Sequence, residues 1–205
     1  MPVFATSYLP PVEYFKFLID FEQITIEQFE HFQKQTIRNR CFILSPNGIQ
    51  CLSIPLIHTS GTKQVIKDLK ISYEMPWQRI HWRSFLAAYN RSPFFEYYQD
   101  DFNRFYHDGR FKWLVDFNLE QLNWIIASLK KNIVVQKTDA YLLTHQDDYR
   151  QLSNAKTTGP AISPQFNKYN QVFNYKFGFT GNLSIIDLIF NTGGRSADYL
   201  ANSLN

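Results

Sequence analysis

The 205-residue sequence contains little cysteine, methionine or glycine, with two, two and eight residues of each. Two cysteines are too few for a disulfide framework, and the spacing of Cys41 and Cys51 does not fit a zinc site. Both lie in apolar stretches, so we expect buried thiols in a reducing compartment. No histidines and acids stand at the spacing of a metalloprotease helix, and we expect neither a metal nor a cofactor.

Long apolar segments and a strong excess of one charge are also missing. No apolar run reaches the roughly 18 residues that a membrane span requires. The N-terminal segment MPVFATSYLPP lacks the regions of a signal peptide, so we expect a cytoplasmic protein. The net charge is only +3, and no block of lysines or arginines occurs. This pattern argues against a nucleic-acid partner.

The common catalytic motifs are absent as well. The sequence has no Walker loop, no G-x-G-x-x-G fingerprint and no G-x-S-x-G elbow. The sequence therefore lacks the motifs that normally identify P-loop NTPases, simple Rossmann enzymes and serine hydrolases. The sequence indicates a pocket and a charge preference, but no reaction.

Aromatic residues are abundant. They make up 17% of the chain, including nineteen Phe and twelve Tyr. Such rings can stack on sugars or bases, but burial in a core is their commoner use. With 44% hydrophobic residues over its length, the chain can bury a full core as one domain.

Hydrophobic periodicity predicts an α/β protein, a single domain with a mixed β-sheet, a central β-hairpin and flanking helices. The hairpin is the clearest feature, with strands at 39–45 and 49–56 around a Pro-Asn-Gly turn. Other predicted strands lie at 2–5, 24–26, 65–73 and 133–135, and predicted helices at 12–19, 27–35, 76–90, 93–107, 119–131, 166–175 and 183–191. Residues 138–165 lose periodicity and are predicted to be an irregular loop or flap.

Positive charge is concentrated in two pairs. Arg79 and Arg83 stand four residues apart on a predicted helix and project side by side. Arg38 and Arg40 are two apart and are predicted to share one side of the hairpin strand. Facing a cleft, such guanidiniums bind a phosphate or carboxylate, whereas on an open surface they are merely solvated. The first interpretation predicts that at least three of the four line one hollow.

His81 is the strongest candidate for a general acid or base. It lies between Arg79 and Arg83, with Trp77 one turn earlier, and nearby guanidiniums would favour its neutral form. A neutral imidazole can accept a proton near neutral pH. The alternative is a structural histidine that is hydrogen-bonded at a helix boundary.

The loop after the first predicted strand is a second candidate region. It leads into a helix at Pro11, and backbone N–H groups at such junctions point outward to ligands. Ser7 and Tyr8 are therefore predicted to bind substrate. The alternative is that the loop is only a connection.

Several stretches together resemble the WbqC-like family. They are TSYLPPVEYF, RNRC, LSIP, PWQRIHWRSFLAAY, SPFFEYY and the terminal GFTGNLSIIDLIFNTG. The similarity covers nearly the full length and is weakest over 138–165. Members often lie in gene clusters for bacterial surface polysaccharide of the O-antigen type. The resemblance therefore implies a transferase in polysaccharide biosynthesis that acts on an activated anionic or phosphorylated small molecule, such as a nucleotide sugar.

The matching positions also imply a site. An anion site carries over to Arg38, Asn39, Arg40, Arg79 and Arg83, with Trp77 beside it, and the position of His81 also matches. Family members commonly have His-Gln-Pro after the first strand, whereas here the positions read Phe4-Ala5-Thr6. A chain without that histidine could instead be a non-catalytic small-molecule-binding or assembly protein. A third possibility is an interaction module that uses the aromatic helix, and the sequence leaves the oligomeric state undetermined.

Overall fold

The computed structural model describes residues 1–57, 63–107, 111–154, 160 and 166–202. The strands are β1 (Val3–Ala5), β2 (Gln23–Glu27), β3 (Arg40–Ser45), β4 (Gly48–Ser53), β5 (Leu56–Ile57), β6 (Lys70–Ile71) and β7 (Val134–Lys137). The helices are α1 (Val12–Leu18), α2 (Trp77–Tyr89), α3 (Phe95–His107), α4 (Leu114–Ser128), α5 (Asn174–Phe177), α6 (Ile185–Thr192) and α7 (Ser196–Asn202). Across these described ranges, no helix has the length and hydropathy needed to cross a bilayer.

A parallel sheet with the order β1-β2-β7 organises the fold. The segment around Asp148 extends it on the free side of β1. There Val3 donates its N–H to the Asp147 carbonyl at 2.9 Å and accepts the Tyr149 N–H at 2.8 Å. The chain thus fills the sheet from β1 towards β7 and then returns to the other side of β1. The strand order therefore reverses between β1 and this segment.

The predicted hairpin is confirmed as β3 and β4, which pair from Arg40 with Ser53 to Ser45 with Gly48. Gly48 has φ +102°, a left-handed conformation that favours glycine. One face of the hairpin buries Cys41, Ile43 and Leu52 in the core. The hairpin is a two-stranded sheet of its own, beside the parallel sheet.

Aromatic rings fill the core between α2, α3 and α6. Phe102 lies 5.2 Å from Phe85, 5.3 Å from Tyr106 and 5.5 Å from Phe190, measured between ring centroids. Most rings of α3 point into this core, while Tyr97 is exposed. The abundance of aromatic residues therefore serves packing, as the commoner use of such rings predicts.

The single-domain α/β class is confirmed, but several predicted elements are wrong. The predicted helix at 27–35 does not form, because the Glu27 carboxylate accepts the Phe29 N–H at 2.6 Å and the chain turns after β2. The predicted strand at 65–73 is a 3₁₀ turn at Ile66–Asp68 followed by β6. The predicted helix at 166–175 is reduced to the single turn of α5.

Two asparagines that stand just before predicted helices, at 119–131 and 183–191, do not cap them. Asn118 lies inside α4, where its amide donates to the Thr6 hydroxyl at 3.1 Å and to the Arg38 carbonyl at 2.8 Å. Asn182 does not cap α6, which begins at Ile185. Instead, its side-chain oxygen accepts the backbone N–H of Glu13 at 2.9 Å, in the first turn of α1. Both asparagines thus join segments that are far apart in sequence.

The two cysteines differ in exposure, and only part of the predicted flap is described. Cys41 is buried as expected, but Cys51 is exposed, because it lies on the outer face of β4. Of the predicted flap, residues 155–159 and 161–165 lie outside the described residues. Its described part contains the 3₁₀ turn Arg150–Ser153 and a bridge from Thr36 to Asn154. Movement of this segment as a flap stays a prediction.

Replacing Gly193 by Ala is expected to destabilise the protein by roughly 2–4 kcal/mol. Gly193 has φ +56°, and an added Cβ would lie 2.5 Å from Cδ1 of Phe94. Backbone strain and a ring clash therefore act together, which urea unfolding will measure. Gly178→Ala is the matched control, because Gly178 has φ +71° with nothing within 4 Å of the added atom. Equal losses in the two variants would refute the contribution of Phe94.

Candidate functional site

A cavity of about 730 Å³ lies at the carboxyl edge of the parallel sheet. Its walls come from segments that follow neighbouring strands: Glu13 after β1, Glu30 after β2, and 148–154 from the segment beside β1. In open α/β sheets, ligands bind outside the carboxyl ends of strands at the point where the strand order reverses. We call this space the carboxyl-edge cavity and take it as the candidate site.

A buried ion pair forms one wall. Arg38 is only 2% exposed, and its Nε and Nη2 donate to Oε1 of Glu30 at 2.8 and 2.7 Å. Its Nη1 has no hydrogen-bond partner among the described residues. Burial raises the pKa of the Glu30 carboxyl, and the Arg38 guanidinium opposes this only in part. The wall therefore combines a paired charge with one uncommitted donor.

A second ion pair forms another part of the lining. Arg150 Nε donates to the two carboxylate oxygens of Asp148 at 2.9 and 3.1 Å. These hydrogen bonds hold the pKa of Asp148 below its ordinary value. The guanidinium also donates to the carbonyls of Leu142 and Leu143 and lies 5.6 Å from the centroid of the Tyr141 ring. Arg150 therefore fixes this wall together with the aromatic ring on it.

The remaining lining is mainly polar. Glu13 Oε2 accepts a hydrogen bond from Asn182 Nδ2 at 2.9 Å, and Lys16 one turn further along α1 interacts with the Glu13 charge. Amide, hydroxyl and apolar side chains complete the surface, from Gln33, Gln151, Leu152, Ser153 and Asn154. Donors and acceptors are thus both present around the cavity.

The predicted arginines are distributed over different surfaces. The cavity that Arg38 lines contains none of Arg40, Arg79 and Arg83. Arg40 lines a separate pocket of about 300 Å³ with Asn39, while Arg79 and Arg83 are exposed on α2. The prediction that Arg38 and Arg40 share one side of a strand is wrong, because β3 begins only at Arg40. None of the cavities described here is lined by three of the four arginines, contrary to the prediction of one shared hollow. Ligand binding by the individual residues stays a prediction.

His81 is only 3% exposed, although it borders a small cavity beside β4. Its Nδ1 lies 2.8 Å from the hydroxyl of Tyr8, which lies 2.9 Å from the hydroxyl of Tyr106. Burial lowers the pKa of His81 to about 4, and a hydrogen bond with the Ser53 backbone opposes this. The neutral state was predicted, but its cause is burial and not the guanidiniums. A catalytic role for His81 stays a prediction, and the contacts support a structural one.

The other predicted binding residues also lie away from the carboxyl-edge cavity. Tyr8 is fully buried, and the Ser7 hydroxyl donates to the Ala5 carbonyl at 3.3 Å. Trp77 lines a smaller cavity of about 260 Å³ beside β4, together with His81. Substrate binding by Ser7, Tyr8 and Trp77 is thus a separate prediction from binding in the carboxyl-edge cavity.

Replacing Tyr8 by Phe is expected to cost about 1–3 kcal/mol of stability. The change removes the hydroxyl between His81 and Tyr106 and leaves buried polar groups without that partner. It should also raise the pKa of His81, because the neutral imidazole loses a donor. Urea unfolding and NMR titration of the histidine will measure both effects. Tyr97→Phe is the control, because that side chain is 79% exposed. An equal loss of stability there would contradict a stabilising role for the hydrogen bonds of Tyr8.

Sequence reasoning missed most of the cavity. Glu30 falls within the wrongly predicted helix, and Tyr141, Asp148 and Arg150 fall within the region without periodicity. An Asp-x-Arg spacing is too common to single out. The usable signals were Arg38, which was predicted as a binding residue, and the strand-to-helix junction near Glu13.

Fold and site together define an α/β protein with a polar cavity at the carboxyl edge of a parallel sheet. The chain belongs to the WbqC-like protein family, whose model matches residues 6–161. It is 25% identical over 236 residues to the uncharacterized protein Rv1507c of Mycobacterium tuberculosis, an alignment that covers 97% of this chain and 96% of that protein. No solved structure gives a significant match.

Proposed function

We propose that this protein is a transferase of surface polysaccharide biosynthesis that binds an activated sugar, such as a nucleotide sugar, at the carboxyl-edge cavity. The polysaccharide role rests on what resemblance to the WbqC-like family implies. The observation that carries the choice of site is the position of a polar cavity of about 730 Å³ where the strand order reverses.

Transfer would depend on positioning and on electrostatic stabilisation of the reacting groups. Glu30 is the candidate acid or base, because its pKa is raised and both hydrogen bonds from Arg38 go to Oε1. Its Oε2 is thus available to exchange a proton with a substrate hydroxyl. His81, buried behind Tyr8, is a less suitable base with a pKa of about 4.

A non-catalytic binding protein is the second candidate. Two observations favour it: Phe4-Ala5-Thr6, at the end of β1, stands where relatives commonly have His-Gln-Pro, and His81 is held in the core. In this case the cavity would retain ligand without converting it.

Incubation with a panel of nucleotide sugars and sugar acceptors, followed by mass spectrometry of the products, tests the proposal. We expect turnover that Arg150→Met abolishes and that Arg104→Met, at an exposed arginine on α3, leaves intact. Thermal-shift assays on the same panel will report binding. Binding without turnover would select the second candidate, and neither binding nor turnover would reject both.

A further inference from the structure

The charges around the carboxyl-edge cavity are balanced. Arg38 is paired with Glu30 at 2.7 Å, and Arg150 with Asp148 through its Nε at 2.9 and 3.1 Å. The remaining lining carboxylate, Glu13, lies near the ammonium of Lys16. The lining therefore offers no excess of positive charge, although two arginines belong to it.

This balance is unfavourable for a phosphate. A phosphate within the cavity would meet two guanidiniums that are each paired with a carboxylate, so it would gain little net attraction there. Entering the cavity would still cost the phosphate its hydration, whereas an uncharged hydroxyl group loses much less. This difference decides which end of a sugar phosphate enters.

The same lining suits an uncharged polyol. Paired ions and amides present donors and acceptors together, so that neighbouring hydroxyl groups can both donate and accept. The half-exposed ring of Tyr141 provides an aromatic wall, and Arg150 holds it at 5.6 Å. Gln33, Gln151 and Ser153 add amide and hydroxyl groups to this lining.

We infer that an uncharged polyhydroxylated ring enters the carboxyl-edge cavity and that the phosphate groups of an activated donor stay outside it. The inference rests on the proposed function for the identity of the donor. The selectivity itself follows from the paired charges and can be tested without turnover. The volume of about 730 Å³ lies within the ~300–1,000 Å³ of typical small-molecule sites.

Saturation-transfer NMR with uncharged methyl glycosides and the corresponding sugar 1-phosphates tests this selectivity. In the wild-type protein, at least one methyl glycoside is expected to bind about tenfold more tightly than its 1-phosphate, a difference of about 1.4 kcal/mol. Inorganic phosphate is expected not to compete. Tighter binding of the 1-phosphates, competition by phosphate, or binding of neither set would overturn the inference.

A charge variant locates the effect in the cavity. Asp148→Asn leaves Arg150 without its carboxylate partner, so the preference should shift towards the 1-phosphate by about tenfold or more. Asp116→Asn is the matched control, because it removes a carboxylate from an exposed pair with Lys137. An equal shift in both variants, or none in Asp148→Asn, would place binding elsewhere and overturn the inference.

An aromatic variant is independent of charge. Tyr141→Ala should weaken binding of the methyl glycoside several-fold, and Tyr97→Ala, on an exposed part of α3, should not. Circular dichroism will establish that each variant is folded. Weaker glycoside binding in Tyr141→Ala together with the shifted preference in Asp148→Asn supports the inference, and the absence of both effects overturns it.

Failure of this inference and failure of the proposed function are distinguishable. Glycoside binding in the cavity without turnover of any nucleotide sugar would reject the transferase and leave the selectivity intact. Turnover that inorganic phosphate inhibits through a site sensitive to Asp148→Asn would retain the transferase and reject the selectivity.

Discussion

Replacing Asp187 by Asn is expected to make the protein more stable than wild type at neutral pH. The difference in the free energy of unfolding, variant minus wild type, should rise by about 3 kcal/mol as the pH increases from 4 to 7. Asp187 is 1% exposed on α6, and its Oδ2 accepts hydrogen bonds from Tyr169 at 2.6 Å and Gln171 at 2.8 Å. Burial raises its pKa from 3.8 to about 6, although these hydrogen bonds oppose the change.

The sign follows from proton binding. Between pH 3.8 and about 6, the folded protein holds a proton on Asp187 that the unfolded chain has lost. Stability from this group is therefore complete at low pH and is lost as the pH rises through this window. Asparagine keeps an oxygen for the two donors and does not ionise, so the variant escapes that loss.

His81 has the opposite dependence. Its pKa is lowered from 6.5 to about 4, so the unfolded chain holds the additional proton between these values. Wild-type stability from this group is lost as the pH falls from 6.5 to 4. Loss of the ring lowers the stability of His81→Asn at every pH. The difference in the free energy of unfolding, variant minus wild type, should nevertheless rise by about 3 kcal/mol as the pH falls from 7 to 4.

The pH-dependent contributions of Asp187 and His81 to the free energy of unfolding have opposite signs, so they largely cancel in the wild-type protein between pH 4 and pH 6. Urea unfolding at several pH values, with Asp116→Asn as an exposed control, will measure the separate slopes. The double variant Asp187→Asn, His81→Asn should return to a nearly constant difference from wild type. Slopes of the same sign in the two single variants would show that burial does not control these groups.

Replacing Glu30 by Gln is expected to destabilise the protein by about 3–5 kcal/mol at pH 7. The change leaves the Arg38 guanidinium charged and nearly inaccessible to water, with its carboxylate partner removed. A buried charge without its counterion is much more costly than a solvated one. Chemical unfolding measures the loss directly.

The exposed pair of Lys137 and Asp116 gives the matched comparison. Its side chains are 39% and 44% exposed, so Asp116→Asn should cost only about 0–1 kcal/mol. Adding Arg38→Met to Glu30→Gln removes the unpaired charge and should recover part of the lost stability. If Glu30→Gln costs no more than Asp116→Asn, the pair does not carry the expected energy.

Local patterns were sufficient for elements that depend on local physics. The Pro-Asn-Gly turn and the alternation around it predict the hairpin, and the helical period from Trp77 to Tyr89 predicts α2. The same local reasoning fails where a distant segment satisfies the backbone or the side chain. Asn182 is the clearest case, because its partner is the start of α1 and not the helix that follows it.

The sequence by itself determined the α/β class, the aromatic core, the hairpin and the family resemblance, since each follows from short-range periodicity or contiguous motifs. Only the tertiary structure decided the site. Parallel strands bring Glu13, Glu30 and the segment 148–154 to one edge of the sheet. Residue spacing in the sequence does not predict that these segments lie close together. It also decided the charge of the cavity, because the fold brings the Arg38–Glu30 pair and the local Asp148–Arg150 pair to the same lining.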